Sequence, residues 1–203
     1  MSKTPISFRV PETLWERFTA QTSALFLSYG PFLDHMLTVE LPHLQKDLQG
    51  KRLSLRAKRY VSGELKRVVP EKPNVNFSVR RETAELLRHI TSEHNIVRDA
   101  FFCRLLVLLR STDAVLKYLD VPRHATDRGL SAGLEEMPSS PLGAMEAVRD
   151  DPLFYIREHI QDAQGLGLYL VGLPASYLHC YVEDEFVPGT GANRRFQRLL
   201  AQL

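Results

Sequence analysis

Cysteine is scarce in this chain, and the two present, Cys103 and Cys180, lie 77 positions apart among apolar neighbours. They cannot form a disulfide framework, so a small stapled secreted fold is excluded and a reduced, cytoplasmic setting is the expectation. Long hydrophobic runs are also missing. The most apolar stretch, around residues 105–109, is closed off by Arg104 and Arg110. A membrane span needs about 20 apolar residues, so no membrane association is expected. Residues 1–5 carry no apolar core of the signal-peptide kind. Low hydrophobicity with one-signed charge is absent too: 44% of the 203 residues are hydrophobic and 25% charged, which excludes a disordered chain.

Catalytic and metal motifs are equally hard to find. Glu158-His159, His179-Cys180 and Glu183-Asp184-Glu185 contain ligand-type side chains, but none at the spacing of a known metal site. They read as a core histidine, a buried thiol and solvated charge. Gly189-Thr190-Gly191 lacks the lysine of a phosphate-binding loop and reads as a capped turn. No nucleophile–base pairing can be argued from residue order. We therefore expect no enzyme activity, no metal and no cofactor.

What is present is a charge asymmetry. The net charge of +2 conceals 18 Lys and Arg against 11 Asp and Glu in residues 1–111, and 8 against 13 in residues 112–203. A basic half joined to an acidic half suggests two modules with different partners. Residues 45–72 alone hold nine basic groups, opposed only by Asp47, Glu64 and Glu71. That run is either a solvated face or a phosphate-binding one.

The chain also repeats itself. A shift of 69 positions aligns residues 6–37 with 75–106 without a gap. Phe8/Phe77, Val10/Val79, Glu16/Glu85, Thr22/Thr91, Ser23/Ser92, Phe32/Phe101 and Leu37/Leu106 are identical. Ile6/Val75, Phe18/Leu87, Leu27/Ile96 and Met36/Leu105 keep apolar character at matching points. Each copy begins with strict alternation, Ile6-Ser7-Phe8-Arg9-Val10 and Val75-Asn76-Phe77-Ser78-Val79, which predicts a short strand with one buried face. Helical spacing follows in each: Leu14, Trp15, Phe18 and Thr22 after Pro11, then Leu86, Leu87 and Ile90. After a break near 25–28 and 94–97, a second helix carries Phe32, Leu33, Met36 and Leu37, or Phe101, Phe102, Leu105 and Leu106. A lone strand leaves its backbone groups unpaired, so the two units should pair their strands antiparallel and stack their helices beneath.

This doubled pattern resembles the ribbon-helix-helix family of DNA-binding proteins, of which the Arc and methionine repressors are small members. The likeness covers about 6–44 and 75–111 and rests on Ile6-Ser7-Phe8-Arg9-Val10-Pro11 with Ser28 seventeen positions later. It implies a mainly α fold with a short two-stranded antiparallel ribbon, the tandem copies replacing the usual homodimer. The expected organisation is a DNA-binding domain over 1–111 (repeats 5–44 and 74–111, basic connector 45–73), a linker over 112–141 and a small α or α+β module over 142–203. The linker should hold a short helix around 114–119. In the module we expect helix over 142–164 interrupted at Asp151-Pro152, two strands (or a strand and a helix) within 166–173 and 177–186, and a terminal helix from Asn193.

The resemblance further implies that the solvent face of the ribbon enters the major groove of double-stranded DNA, where base edges are distinguishable. Ser7, Arg9, Asn74, Asn76 and Ser78 would contact bases: Arg suits guanine, Asn suits adenine and Ser accepts several. Pro5 shares this face but donates nothing. Ordinary polar cover is the plain alternative. The family also anchors phosphates at the start of each second helix, which Ser28, Tyr29 and Gly30 match in the first copy. The second copy departs: Val97 cannot cap and Asp99 repels a phosphate, leaving Arg98 to compensate and Asn95 to cap one turn earlier. Arg80, with Arg56, Lys58 and Arg59 of a helix expected in the connector, completes the phosphate contacts. The function implied is sequence-specific DNA binding, by a repressor-type transcriptional regulator or a relaxosome factor at a conjugative plasmid's transfer origin. The acidic module would mediate self-association or contact with another protein. The rival is an interaction module whose ribbon does not touch DNA.

Overall fold

The structure is a computed structural model describing residues 2–122 and 150–200. Among the described residues the protein is mainly helical, with a two-stranded antiparallel sheet. Strands β1 (Lys3–Phe8) and β2 (Val75–Arg80) pair with Ile6 opposite Phe77, Ser7 opposite Asn76 and Phe8 opposite Val75. Alternation sets their faces: Val75, Phe77, Val79 and Phe8 are buried, while Pro5, Asn76 and Ser78 are exposed. Pro5 is tolerated because every strand of a two-stranded sheet has a free edge.

Helix α1 (Glu12–Ala24) opens directly after Pro11, whose carbonyl accepts from the N–H groups of Leu14 and Trp15. Then come α2 (Tyr29–Asp47), α3 (Leu55–Lys66), α4 (Arg81–Glu93), α5 (Arg98–Leu109) and α6 (Asp113–Tyr118). The 69-residue offset is kept to the residue. Both ends of α1 map onto both ends of α4, and the start of α2 maps onto the start of α5. The turn between each pair holds a residue at φ +56°, Phe26 in one copy and Asn95 in the other. In β pairing Ser7 faces Asn76, the residue 69 positions on.

The core lies beneath the ribbon. Phe8 stacks on Phe102 (ring centroids 3.8 Å apart) and meets Phe77 edge-on at 5.9 Å. Helix α5 is buried on nearly every side, as its largely apolar sequence, broken by buried Asp99 and Arg104, requires. The acidic half adds to this same core. Leu153, Ile156 and Ile160, on or just before α7 (Phe154–Gln164), and then Leu168, Tyr169 and Leu178, join Phe101 and Leu105 in one cluster.

Beyond α7 the expected strands do not form: 166–173 is irregular, and 177–186 contains parts of two 3-10 turns, Ser176–Leu178 and Asp184–Phe186. The physical reason is Arg104. Its fully buried guanidinium takes the carbonyls of Leu168, Val171 and Leu178, so the segment folds around a cation rather than along a ladder. The terminal helix is α8 (Gly191–Leu200), capped by Thr190, whose Oγ1 accepts from the Asn193 N–H at 2.7 Å. The expected short helix near 114–119 is α6. The linker beyond residue 122 and the helix start expected at 142 lie outside the described residues.

A second buried cluster ties the halves together. The carboxylate of Glu40 on α2 accepts from Arg157 Nη2 at 2.5 Å and from the Tyr169 hydroxyl at 2.8 Å. Asp151 holds the other side of Arg157, and Asp47 accepts from the Tyr169 N–H at 2.9 Å. Burial outweighs the nearby guanidinium and pushes the Glu40 pKa up to about 7.

Candidate nucleic-acid interface

The solvent face of the ribbon presents Lys3, Pro5 and Ser7 from β1 against Arg80, Ser78 and Asn76 from β2, in that pairing. Asn76, Ser78 and Lys3 are exposed and Ser7 is half-buried. Sequence reasoning missed Lys3, although its place in the alternation, two before Pro5, put it on this face.

Two expected base readers are occupied by the fold. Asn74 brackets Val10: its Oδ1 accepts the Val10 N–H at 3.1 Å, and its Nδ2 donates to the Val10 carbonyl at 3.0 Å. The amide therefore extends the backbone ladder by one step. Arg9 donates through Nε to Asp99 Oδ2 at 2.8 Å, and Asp99 is buried at the start of α5. Arg80 is held in a matching way. Its N–H donates to Asp34 Oδ1 at 3.0 Å, its guanidinium lies 3.4 Å from Asp34 Oδ2, and it also bonds the Thr38 hydroxyl. Each ribbon arginine is thus tied to the second helix of the other repeat.

The two helix starts differ. Ser28 occupies the cap position of α2 in extended geometry, with no side-chain cap bond. The first backbone N–H groups of a helix have no intrahelical partner, so those of Tyr29 and Gly30 are available to an anion. The Tyr29 ring itself packs edge-on against Trp15 at 5.1 Å. At α5, Val97 makes no cap bond, and Arg98 reaches back to donate to the Ser7 carbonyl at 2.6 Å. The expected alternative cap, Asn95, is corrected. It sits in the left-handed turn and spends its amide on the Leu53 carbonyl and on Lys58 Nζ.

The connector helix α3 is capped by Ser54, which accepts from the Ala57 N–H, and buries Ala57, Val61 and Leu65. Its basic side chains are differently engaged: Lys58 donates to Asn95 at 2.9 Å, Arg56 to the Gly189 carbonyl at 3.2 Å, and Arg59 is exposed. Both cysteines are buried, and burial raises their thiol pKa, that of Cys180 to about 11. His179 Nε2 lies 2.8 Å from the Leu173 carbonyl oxygen, which holds the ring in the interior. Among the described residues no helix is long and apolar enough to cross a membrane. Comparison with protein-family models, with curated proteins and with solved structures finds no match to this chain.

Proposed function

We propose that the chain is a sequence-specific double-stranded DNA-binding protein, an intramolecular ribbon-helix-helix pair that reads the major groove with its ribbon. One observation carries this reading: the two strands pair about Ser7 and Asn76, each on the same open face as Lys3 and Ser78. A two-stranded ribbon with small polar and amide side chains outward matches the width and hydrogen-bonding of the groove. Ser7, Asn76 and Ser78 are its base readers, and Lys3 is a phosphate or base contact at one end. The open start of α2 (Ser28, Tyr29, Gly30) anchors one phosphate. Arg98 does so on the other flank, and exposed Arg59 adds attraction without sequence information. The reading covers both a transcriptional regulator and a transfer-origin accessory factor, with the acidic segment as the surface for self-association or another protein.

The tethering of Arg9 to Asp99 and of Arg80 to Asp34 favours the rival, an interaction module of the same build that does not bind DNA. Fluorescence-anisotropy titration with random duplex DNA at two salt concentrations separates them. The proposal expects dissociation constants of roughly 10⁻⁴–10⁻⁶ M that weaken steeply with salt. No binding at low salt supports the rival.

A further inference from the structure

The two repeats differ in bulk where one has a tryptophan and the other an alanine. In the first repeat the Trp15 ring fills the space beside the ribbon, 6.5 Å from Phe8, 5.7 Å from Phe18 and 5.1 Å from Tyr29. The counterparts 69 positions on are Ala84 for Trp15, Leu87 for Phe18 and Arg98 for Tyr29. All three line one cleft of about 330 Å³, walled on the far side by residues 4–7 of β1. The cleft therefore lies on the flank of the second repeat that carries an indole in the first, with buried Ala84 and Leu87 at its floor. Its volume falls at the small end of ligand sites, typically about 300–1,000 Å³.

Its chemistry is specific. Ile6, Leu87 and Ala84 make an apolar lining, while Arg88 and Arg98 are both exposed at its edge. The Nη2 bond from Arg98 to the Ser7 carbonyl fixes that guanidinium over the opening. The nearby acids are already engaged: Glu85 by Arg81 at 2.8 Å, and Asp99 by Arg9 at 2.8 Å, with Arg98 itself 3.9 Å from the other Asp99 oxygen. An aromatic ring in the cleft would meet Arg98 as Trp15 meets Tyr29, with a cation–π contact in place of an edge-on ring contact.

We propose that this cleft binds a small aromatic anion, its ring against Ile6, Ala84 and Leu87 and its carboxylate or phosphate on Arg88 and Arg98. An aromatic carboxylic acid and a nucleotide share that chemistry. Arg98 and Ser7 are shared with the proposed DNA contact, but Ala84 and Arg88 are not, so changes at those two separate loss of ligand binding from loss of DNA binding.

Calorimetric titration and amide chemical-shift mapping of the full chain test it with indole-3-acetate, deoxyadenosine monophosphate and the cationic analogue tryptamine. At least one anion should saturate and shift the amides of Ala84, Leu87 and Arg98, and which anion binds more tightly identifies the source. Tryptamine should bind about tenfold more weakly or not at all. Ala84→Trp should abolish binding, with some fall in melting temperature because Ala84 is buried. Arg88→Glu, at an exposed position, should weaken it by roughly tenfold. If Ala84→Trp itself destabilises the chain, Arg88→Glu decides. Absence of saturation by both anions at millimolar concentration overturns the proposal, as does equal binding of tryptamine or indifference to Arg88→Glu.

Discussion

Arg9 in the first repeat and Asp99 in the second, 90 positions apart, form an ion pair at 2.8 Å that closes the end of the ribbon onto α5. Removing Arg9 leaves buried Asp99 with only the longer 3.9 Å approach of Arg98. Arg9→Ala should therefore lower the unfolding free energy by about 1–3 kcal/mol in urea titrations, besides any effect on DNA. The double variant Arg9→Ala/Asp99→Gly, with the residue that stands at the equivalent Gly30, should cost less than the sum of its single changes. Additive losses would show that the pair is not coupled.

Asn74 acts as one more rung of the sheet, through its two bonds to Val10. Asn74→Ala leaves both backbone groups of Val10 without these partners, a loss of about 1–2 kcal/mol. Hydrogen exchange at the Val10 amide should speed up before that of the strand centre.

Glu40 makes stability depend on pH. Its folded-state pKa, about 7, lies above the ordinary 4.5, so the folded chain holds the extra proton through that window. The contribution is full below about pH 4.5 and is lost as pH rises to 7, by about 3 kcal/mol in total. Half-buried Asp47, also shifted upward, acts in the same direction. His43 and His179, both shifted downward, act oppositely, losing stability as pH falls below 6.5. The difference between wild type and Glu40→Gln isolates the buried carboxyl: stability curves against pH should diverge upward from pH 4.5, with the Gln variant the more stable at pH 8.

Gly167 passes so close to Asp47 that a Cβ there would lie 2.1 Å from the carboxylate. That carboxylate is also the acceptor of the Tyr169 N–H. Gly167→Ala should push it away and cost about 1–3 kcal/mol, while an alanine at open Gly172 should cost far less. Thermal melts of the two variants make the comparison.

Much of the first half was legible because its pattern is local. Period-two alternation marked both strands, although the first runs Lys3–Phe8 rather than Ile6 to Val10, and the recurrence of Phe8 as Phe77 and Phe32 as Phe101 located the second copy. The sequestering of Arg9 and Asn74 was not legible, since their partners come from the other repeat. The second half misled for a different reason. Apolar runs such as 166–173 suit a strand or any buried segment, and the deciding partner was Arg104 on α5. Two of the buried charges carried a signal: Arg104 interrupts an apolar run, and Glu40 shares a helical face with Leu37, Leu41 and Leu44. A charge on an apolar stripe is costly without a buried partner, so it forecasts one.

The ribbon's part in recognition is tested most directly by selecting bound sites from a random duplex library with wild type and with Asn76→Ala. The account predicts one preferred sequence without perfect two-fold symmetry, because Ser7 faces Asn76 rather than another serine, and a preference relaxed at the bases beneath Asn76 in the variant. An exact palindrome bound by a single chain, or an identical preference in the variant, would contradict it.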